Sequence, residues 1–283
     1  MKLTHDRVCA PELEKAGESV RGLMGVALLL CSLFAPSTFA TTLMVQQTAN
    51  TPLLTLSFSE TPRLSQLVLE GTSALQQAPA YQQTTRSHQT DGIFWPAASL
   101  FDNTQQASVT QLKMDVSTQL SRLSAEWGND ADKKHAIDTL LRFIEEQDYG
   151  FRVDVSVDHD DLLLGKHANP LLEADYTLLL PSRPTSVGVL GAVKNSAPSD
   201  WSTGLSVSDY LNDHERLFWF AERSHVVVIA PNGVTHTVPV AYWNSADARL
   251  IPGSLVYVPF ASLPSEFDNL NATIVNLLTR RMM

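Results

Sequence analysis

The stretch Leu250-Ile251-Pro252-Gly253-Ser254-Leu255-Val256-Tyr257-Val258-Pro259 decides the fold of this chain. It places a Pro-Gly turn just before a short apolar run, and a second proline ends that run. An apolar run bounded by turn residues is typical of a buried β-strand. A similar pattern occurs earlier in the chain, at positions 172–175 leading into the apolar positions 176–181. The two patterns predict two buried strands in equivalent places.

A short helical pattern precedes each of these strands. Leu64-Ser65-Gln66-Leu67-Val68 is similar to Val207-Ser208-Asp209-Tyr210-Leu211, which lies further along the chain. The number of residues between the two helical patterns is larger than the number between the two strand patterns. The excess is similar in length to the loop and helical hairpin that we predict within residues 80–148. We infer one small fold used twice, with the hairpin interrupting the first copy.

The remaining secondary structure follows from hydrophobic spacing. Apolar residues recur three and four positions apart from Val109 to Trp127 and from Ile137 to Ile144, which predicts two amphipathic helices. Gly128-Asn129-Asp130 separates them, and Asp130 is a suitable N-cap. The helix that begins at Leu64 is expected to end near Gly71. Strand patterns occur at residues 42–46, 53–58, 151–157, 176–180, 185–193, 225–229, 234–240 and 255–258.

The C-terminal segment predicts a further helix over residues 264–281. Its apolar residues recur at four-three-four-three spacing, namely Leu263, Phe267, Leu270, Ile274 and Leu277. Such a stripe is unusual on the surface of a soluble monomer, so something must cover it. We expect the protein's own sheets to do so. The alternative is a docking role, in which Arg280 and Arg281 engage a partner or a membrane surface.

The N-terminal segment 1–40 predicts a secretory signal peptide. Arg21 precedes an apolar run at residues 23–34, and Pro36 and small residues up to Ala40 follow. Both cysteines, Cys9 and Cys31, lie in this segment, so the mature chain would have no disulfide, thiolate nucleophile or cysteine–zinc site. The formal net charge of −10 argues against nucleic-acid binding. We therefore expect an exported, periplasmic protein.

A family resemblance rests on several short motifs in a fixed order. They are Phe94-Trp95-Pro96-Ala97, Gly150-Phe151-Arg152-Val153, Asn169-Pro170-Leu171-Leu172, Leu180-Pro181-Ser182-Arg183-Pro184, Tyr242-Trp243-Asn244 and Pro252-Gly253-Ser254. In this order they resemble the GfcC/YjbG family of capsule and exopolysaccharide proteins. The repeated unit resembles the SLBB type of β-grasp domain, which stacks in the periplasmic part of polysaccharide export channels.

The resemblance implies an α+β fold with two β-grasp domains. We place domain 1 at residues 41–184 with the helical hairpin at about 104–148. Domain 2 then spans residues 185–260, and the C-terminal amphipathic helix lies within residues 261–283. Residues 1–40 are the predicted signal peptide.

Three residues are candidates for ligand binding. The resemblance matches Arg152 to an arginine that lies in a cleft, and a guanidinium suits a carboxylate, phosphate or uronic acid. Trp95 and Trp243 could stack on sugar rings. The simpler alternatives are a structural ion pair or solvated side chain for Arg152, and a place in the core for each tryptophan.

No catalytic, cofactor-binding or metal-binding motif stands out. The chain has no Gly-x-Ser-x-Gly, His-Glu-x-x-His or Walker sequence, and Asp158-His159-Asp160-Asp161 lacks the glycine and distal glutamate of a calcium loop. We expect a non-catalytic accessory protein that binds glycan or export components. The alternatives are a polysaccharide-modifying enzyme with its site around Arg152, and a structural adaptor that docks through the C-terminal helix.

Overall fold

The computed structural model describes residues 41–49, 51–79, 81–82, 92–217, 219–241 and 246–283. The strands are β1 (Thr41–Thr48), β2 (Thr51–Phe58), β3 (Ser99–Asp102), β4 (Phe151–Arg152), β5 (Tyr176–Leu179), β6 (Ser186–Gly191), β7 (Pro198–Asp200), β8 (His225–Ile229), β9 (Thr235–Pro239) and β10 (Leu255–Val258). The helices are α1 (Leu64–Gln77), α2 (Gln106–Glu126), α3 (Ala131–Glu146), α4 (His159–Leu163), α5 (Val207–His214) and α6 (Leu270–Leu278). The predicted signal peptide lies outside the described residues.

Two five-stranded sheets carry the fold, and they share one topology. Their strand orders are β2-β1-β5-β3-β4 and β7-β6-β10-β8-β9. In each sheet the first and last strands along the chain pair in parallel, and every other pair is antiparallel. A hairpin, a helix and three further strands follow one another in both copies. The predicted α+β fold with two β-grasp domains is confirmed.

The helices α1 and α5 occupy equivalent places, but α1 is longer than the sequence indicated. It continues past Gly71 to Gln77 instead of ending there. A Cβ at position 71 would come within 2.8 Å of Leu178 Cδ2 and 3.2 Å of Leu43 Cδ2. Gly71 therefore lets the helix lie close against β1 and β5 rather than terminating it.

The helical hairpin is inserted between β3 and β4 of the first sheet, as expected. Asp130 caps α3 by accepting a hydrogen bond from the Lys133 backbone N–H at 3.2 Å. The buried stripes of α2 and α3 nevertheless belong to the hydrophobic core of the second sheet, together with α5 and α6. The core of the first sheet contains α1 and the strands β1 and β5 instead. The predicted boundary between residues 184 and 185 stays a prediction.

The C-terminal stripe is covered by the protein itself. Phe267, Leu270, Ile274 and Leu277 are buried, and Leu263 packs at the edge of the same core. Helix α6 begins at Leu270, after a 3₁₀ turn at Ser265–Phe267, rather than at residue 264. The expectation that α6 packs on its own chain is confirmed.

The alternating segment after Gly150 forms less strand than predicted. Only Phe151–Arg152 pairs with β3, opposite Asp102 and Phe101. The Val153 N–H still bonds to the Leu100 carbonyl at 2.9 Å, and Val157 is buried against the first core. Strands β3 and β7 are short and had no clear alternation in the sequence.

Within the described ranges, no helix is long and apolar enough to cross a bilayer.

Candidate functional site

A cleft of about 940 Å³ opens within the described part of the chain. Its lining comes from the turn at residues 95–99, the segment 152–158 with residues 161, 167 and 168, the β8–β9 turn at residues 232–235 and residues 279–280 of the C-terminal segment. Both sheets and the end of α6 therefore contribute. Arg152 and Trp95 lie in this cleft together. Trp243 is outside the described residues.

Arg152 is held by acceptors from several distant segments. Its Nε donates to the Thr279 carbonyl at 2.8 Å, and one terminal nitrogen donates to the Arg281 carbonyl at 2.9 Å and the Pro231 carbonyl at 3.4 Å. The other terminal nitrogen donates to the Ser99 hydroxyl. The guanidinium carbon also lies 4.8 Å from the centre of the Phe101 ring. Arg152 thus links the first sheet, the second sheet and the C-terminal segment at the cleft.

The acceptors of Arg152 are neutral. No carboxylate pairs with it among the described residues, and burial lowers its pKa to about 10, with the nearby positive charge of Arg281 acting in the same direction. A pKa of about 10 keeps the guanidinium protonated at neutral pH. Most of its N–H groups already have partners, so its planar fork is directed at the protein and not at the cleft opening.

The β8–β9 turn can reach Arg152 only because residue 233 is glycine. Gly233 has a φ of +86°, and a Cβ there would lie 2.7 Å from Arg152 Nε and 2.7 Å from the Thr279 carbonyl oxygen. A larger residue would therefore combine an unfavourable backbone conformation with two steric clashes. The Pro231-Asn232-Gly233 turn was predictable from sequence, but its contact with Arg152 was not.

Three carboxylates line the cleft together with the guanidinium groups of Arg152 and Arg280. Asp154 is exposed and has no polar partner within the described ranges. Asp158 caps α4 by accepting from the N–H groups of Asp160 and Asp161 at 3.0 and 3.2 Å. Asp161 pairs with Lys166 at 2.8 Å, and this hydrogen bond holds the pKa of Asp161 below the ordinary value. Asp154 is therefore the free carboxylate among the described residues of the cleft, and the Arg280 guanidinium beside it is bonded to Asn276.

Two sequence families match this chain. Residues 41–183 match the family described as "Capsule biosynthesis GfcC, N-terminal", and residues 195–283 match "Capsule biosynthesis GfcC C-terminal". The chain belongs to the GfcC capsule biosynthesis family. It is also 32% identical over 191 residues to "Uncharacterized protein YjbG" from Escherichia coli (strain K12), a match that covers 67% of this chain and 77% of that protein.

In this GfcC-family chain, Trp95 has two environments. It begins the 3₁₀ turn Trp95–Ala97 and packs partly against the hydrophobic core of the first sheet. It also lines the cleft and is only partly buried. One part of this large aromatic side chain thus packs on the core while another borders the cleft. Stacking of Trp95 on a sugar ring stays a prediction.

The sequence did not indicate several cleft residues in this GfcC-family protein. Ser99 and Thr279 contact Arg152 but carry no recognisable motif, and they lie 53 and 127 residues from it. Arg280, which the sequence pattern indicates only as a helix-end charge, also lines the cleft. Among the described residues, no group of three or more His, Cys, Asp or Glu side chains could hold a metal ion.

Proposed function

We propose that this protein is a periplasmic, non-catalytic accessory protein of capsule or exopolysaccharide biosynthesis or export, and that its cleft binds a segment of glycan. The observation that carries the proposal is the composition of that cleft. It combines a partly buried tryptophan, an exposed unpaired carboxylate and a volume of about 940 Å³. Membership in the GfcC family supports the pathway, and the predicted signal peptide supports the compartment.

The cleft suits a neutral or amino-sugar glycan better than a polyuronate. Asp154 can accept hydrogen bonds from sugar hydroxyls or ammonium groups, whereas it would repel a second carboxylate. Trp95 offers an aromatic face for the apolar side of a pyranose ring. Arg152 directs its N–H groups at protein carbonyls, so in this proposal it holds the cleft together and does not clamp an acidic sugar.

Binding is measured by titration calorimetry with oligosaccharides released from the surface polysaccharide of the producing strain. We expect Trp95→Ala and Asp154→Asn each to weaken binding about tenfold, the loss of one stacking contact or one charged hydrogen bond. Trp219→Ala is the matched control, because Trp219 is 73% exposed and does not line the cleft. Equal affinity in the Trp95, Asp154 and Trp219 variants contradicts the glycan site.

The same experiment separates binding from catalysis. If the cleft is an enzyme active site around Arg152, prolonged incubation shortens the oligosaccharides or changes their mass. We expect both the chain-length distribution and the masses to stay constant. A deletion strain complemented with the Trp95→Ala protein should give an altered amount or chain length of surface polysaccharide. Full complementation by that variant would show that the cleft is not what the pathway needs.

A docking role for the apolar stripe of α6 is less well supported. Four of its five residues are buried inside the protein and the fifth, Leu263, packs partly against the same core, so the stripe offers little apolar surface to a partner. An export component is the second candidate ligand of the cleft region. A pull-down with the wild-type and Trp95→Ala proteins in the absence of free oligosaccharide tests that case. A protein partner is retained under this condition, because its binding does not need the sugar.

A further inference from the structure

A second cavity of about 400 Å³ lies between helix α3 and one face of strand β6. From α3 it is lined by Thr139, Arg142, Phe143 and Glu146, which share one helical face at i, i+3, i+4 and i+7. From the sheet it is lined by alternate residues at positions 184, 186, 188 and 190. Its volume falls within the range of small-molecule sites. It shares no lining residue with the cleft.

Arg281 is the most deeply placed of the charged residues that line this second cavity, the others being Arg142 and Glu146. Its side chain donates one hydrogen bond to a protein acceptor, the Gly253 carbonyl at 2.8 Å. A guanidinium has five N–H donors, so most of those of Arg281 have no partner among the described residues. Burial lowers the pKa of Arg281. No carboxylate in the described part of the chain pairs with it.

Two positive charges lie next to each other at this point. Arg152 donates to the Arg281 carbonyl, and both residues line the same narrow crevice beside Leu278. Neither has a negative partner within the described ranges. A buried charge without a counter-charge is costly, and like charges increase that cost. The N–H groups of Arg152 are mostly bonded to neutral acceptors, whereas most N–H groups of Arg281 are unpaired among the described residues. Arg281 is therefore the residue that can bind an anion.

Two further side chains face the same cavity. The hydroxyl oxygen of Thr139 is buried and has no hydrogen-bond partner among the described residues. Arg142 is exposed and lies on the same face of α3 as Thr139. Its guanidinium also has no polar partner among the described residues. Phe143, Leu190 and Leu255 supply apolar lining. The cavity thus combines unused donors with an apolar wall, which is the usual composition of a specific small-molecule site.

We propose that this second cavity binds a small molecule with one carboxylate and an apolar body, the carboxylate lying on Arg281 and Arg142. The planar fork of a guanidinium matches a carboxylate in two parallel hydrogen bonds. A phosphate dianion fits less well, because α3 lines the cavity with its C-terminal half, where the helix dipole is negative. Glu146 at the same face disfavours a second negative charge in the ligand.

The probe is 4-phenylbutyrate, and its binding is followed by saturation-transfer NMR and calorimetry on the mature full chain. Its neutral isostere, 4-phenylbutanamide, should bind at least about tenfold more weakly, because it cannot form a charged pair with Arg281. Arg142→Ala should weaken 4-phenylbutyrate binding several-fold without loss of stability. Arg249→Ala is the control, since Arg249 is exposed and lines neither cavity.

Ser186→Trp fills the cavity from the sheet side and should abolish binding. Arg281→Lys keeps the charge but not the fork and should weaken binding at least about tenfold. The proposal is overturned if no probe binds at millimolar concentration, if the acid and the amide bind equally, or if Arg142→Ala and Ser186→Trp bind as the wild type does. Tighter binding of 3-phenylpropylphosphonate than of 4-phenylbutyrate also overturns the carboxylate assignment. Loss of glycan binding by Trp95→Ala is independent of all these results.

Discussion

At the scale of single residues, the Arg152 side chain is bonded to protein acceptors at the edge of the cleft. Its side chain bonds to Ser99 and to the carbonyls of Thr279, Arg281 and Pro231. These acceptors belong to segments that are 53 to 129 residues away along the chain. One side chain therefore joins both sheets and the C-terminal segment, which is possible because a guanidinium donates in several directions at once.

The first prediction follows from that network. Arg152→Ala leaves the acceptors unsatisfied and should lower the free energy of unfolding by about 2–4 kcal/mol. Arg152→Lys should recover only part of the loss, because an ammonium group cannot reach the same acceptors in one plane. Urea denaturation of both variants measures the effect, with Arg249→Ala as the surface control. An Arg152→Ala protein as stable as wild type would show that the network contributes nothing to folding.

The second prediction isolates the contact between Gly233 and Arg152. Gly165 also has a positive φ, +65°, but a Cβ there would meet nothing within 4 Å, and Gly204 has open space without a positive φ. Gly165→Ala should cost about 1–2 kcal/mol for the backbone conformation alone, and Gly204→Ala should be close to neutral. Gly233→Ala should cost clearly more than Gly165→Ala, because Arg152 and Thr279 must also move.

The three glycine variants are compared by thermal and urea unfolding under one set of conditions. If Gly233→Ala and Gly165→Ala lose the same stability, the close approach to Arg152 is not energetically important. The glycan affinity of Gly233→Ala provides a second measurement. We expect it to fall even when the protein is folded, because the β8–β9 turn forms part of the cleft lining.

At the scale of elements, helix α6 closes the second core. Leu270, Ile274 and Leu277 are each fully buried, and α6 packs on α2 and β8. An amphipathic helix of nine residues is too short to be stable alone in water, so its stability comes from this packing. The helix is therefore part of the core and not an appendage.

The third prediction tests that role. Ile274→Ala should lower the free energy of unfolding by about 2–5 kcal/mol, the usual cost of emptying a buried aliphatic site. Asn276→Ala, on the exposed side of the same helix, should change it by less than about 0.5 kcal/mol. Truncation after Pro259 should give an unfolded or aggregating protein. A truncated protein that keeps its melting temperature but loses a partner would instead identify α6 as a docking element.

At the scale of the whole molecule, the chain connectivity and the hydrophobic cores do not coincide. The hairpin of α2 and α3 is inserted into the first copy of the fold, between β3 and β4. Its buried residues, among them Val116, Leu120 and Ile137, lie in the core of the second sheet. The second copy therefore depends on residues that the first copy supplies.

The fourth prediction uses amide hydrogen exchange to locate that dependence. Leu120→Ala should increase exchange in β8 and β10 at least as much as in β1 and β5, because Leu120 is buried in the second core. Leu67→Ala, in α1, is the matched substitution in the first core and should act on β1 and β5 first. Leu120→Ala that increases exchange only in the first sheet would contradict this assignment.

Much of the fold could be predicted because the informative signals are local. The strands that begin at Tyr176 and Leu255 are equivalent in the two sheets, and α1 and α5 begin at Leu64 and Val207, as the repeat indicated. Errors arose where a local signal did not decide the outcome. Gly71 indicated a helix end that does not occur, and the alternating segment after Gly150 gave only a two-residue strand.

The sequence by itself determined the duplication of the fold, the apolar faces of its main helices and the places of most strands. Hydrophobic periodicity carries that information, because it reports which face of a helix or strand avoids water. Only the tertiary structure decided what each face packs against. It placed the hairpin on the second sheet, brought Trp95 and Asp154 into one cleft, and gave Arg152 carbonyl partners from distant segments. Contacts between residues far apart in the chain leave no periodic signal, so no local pattern could have predicted them.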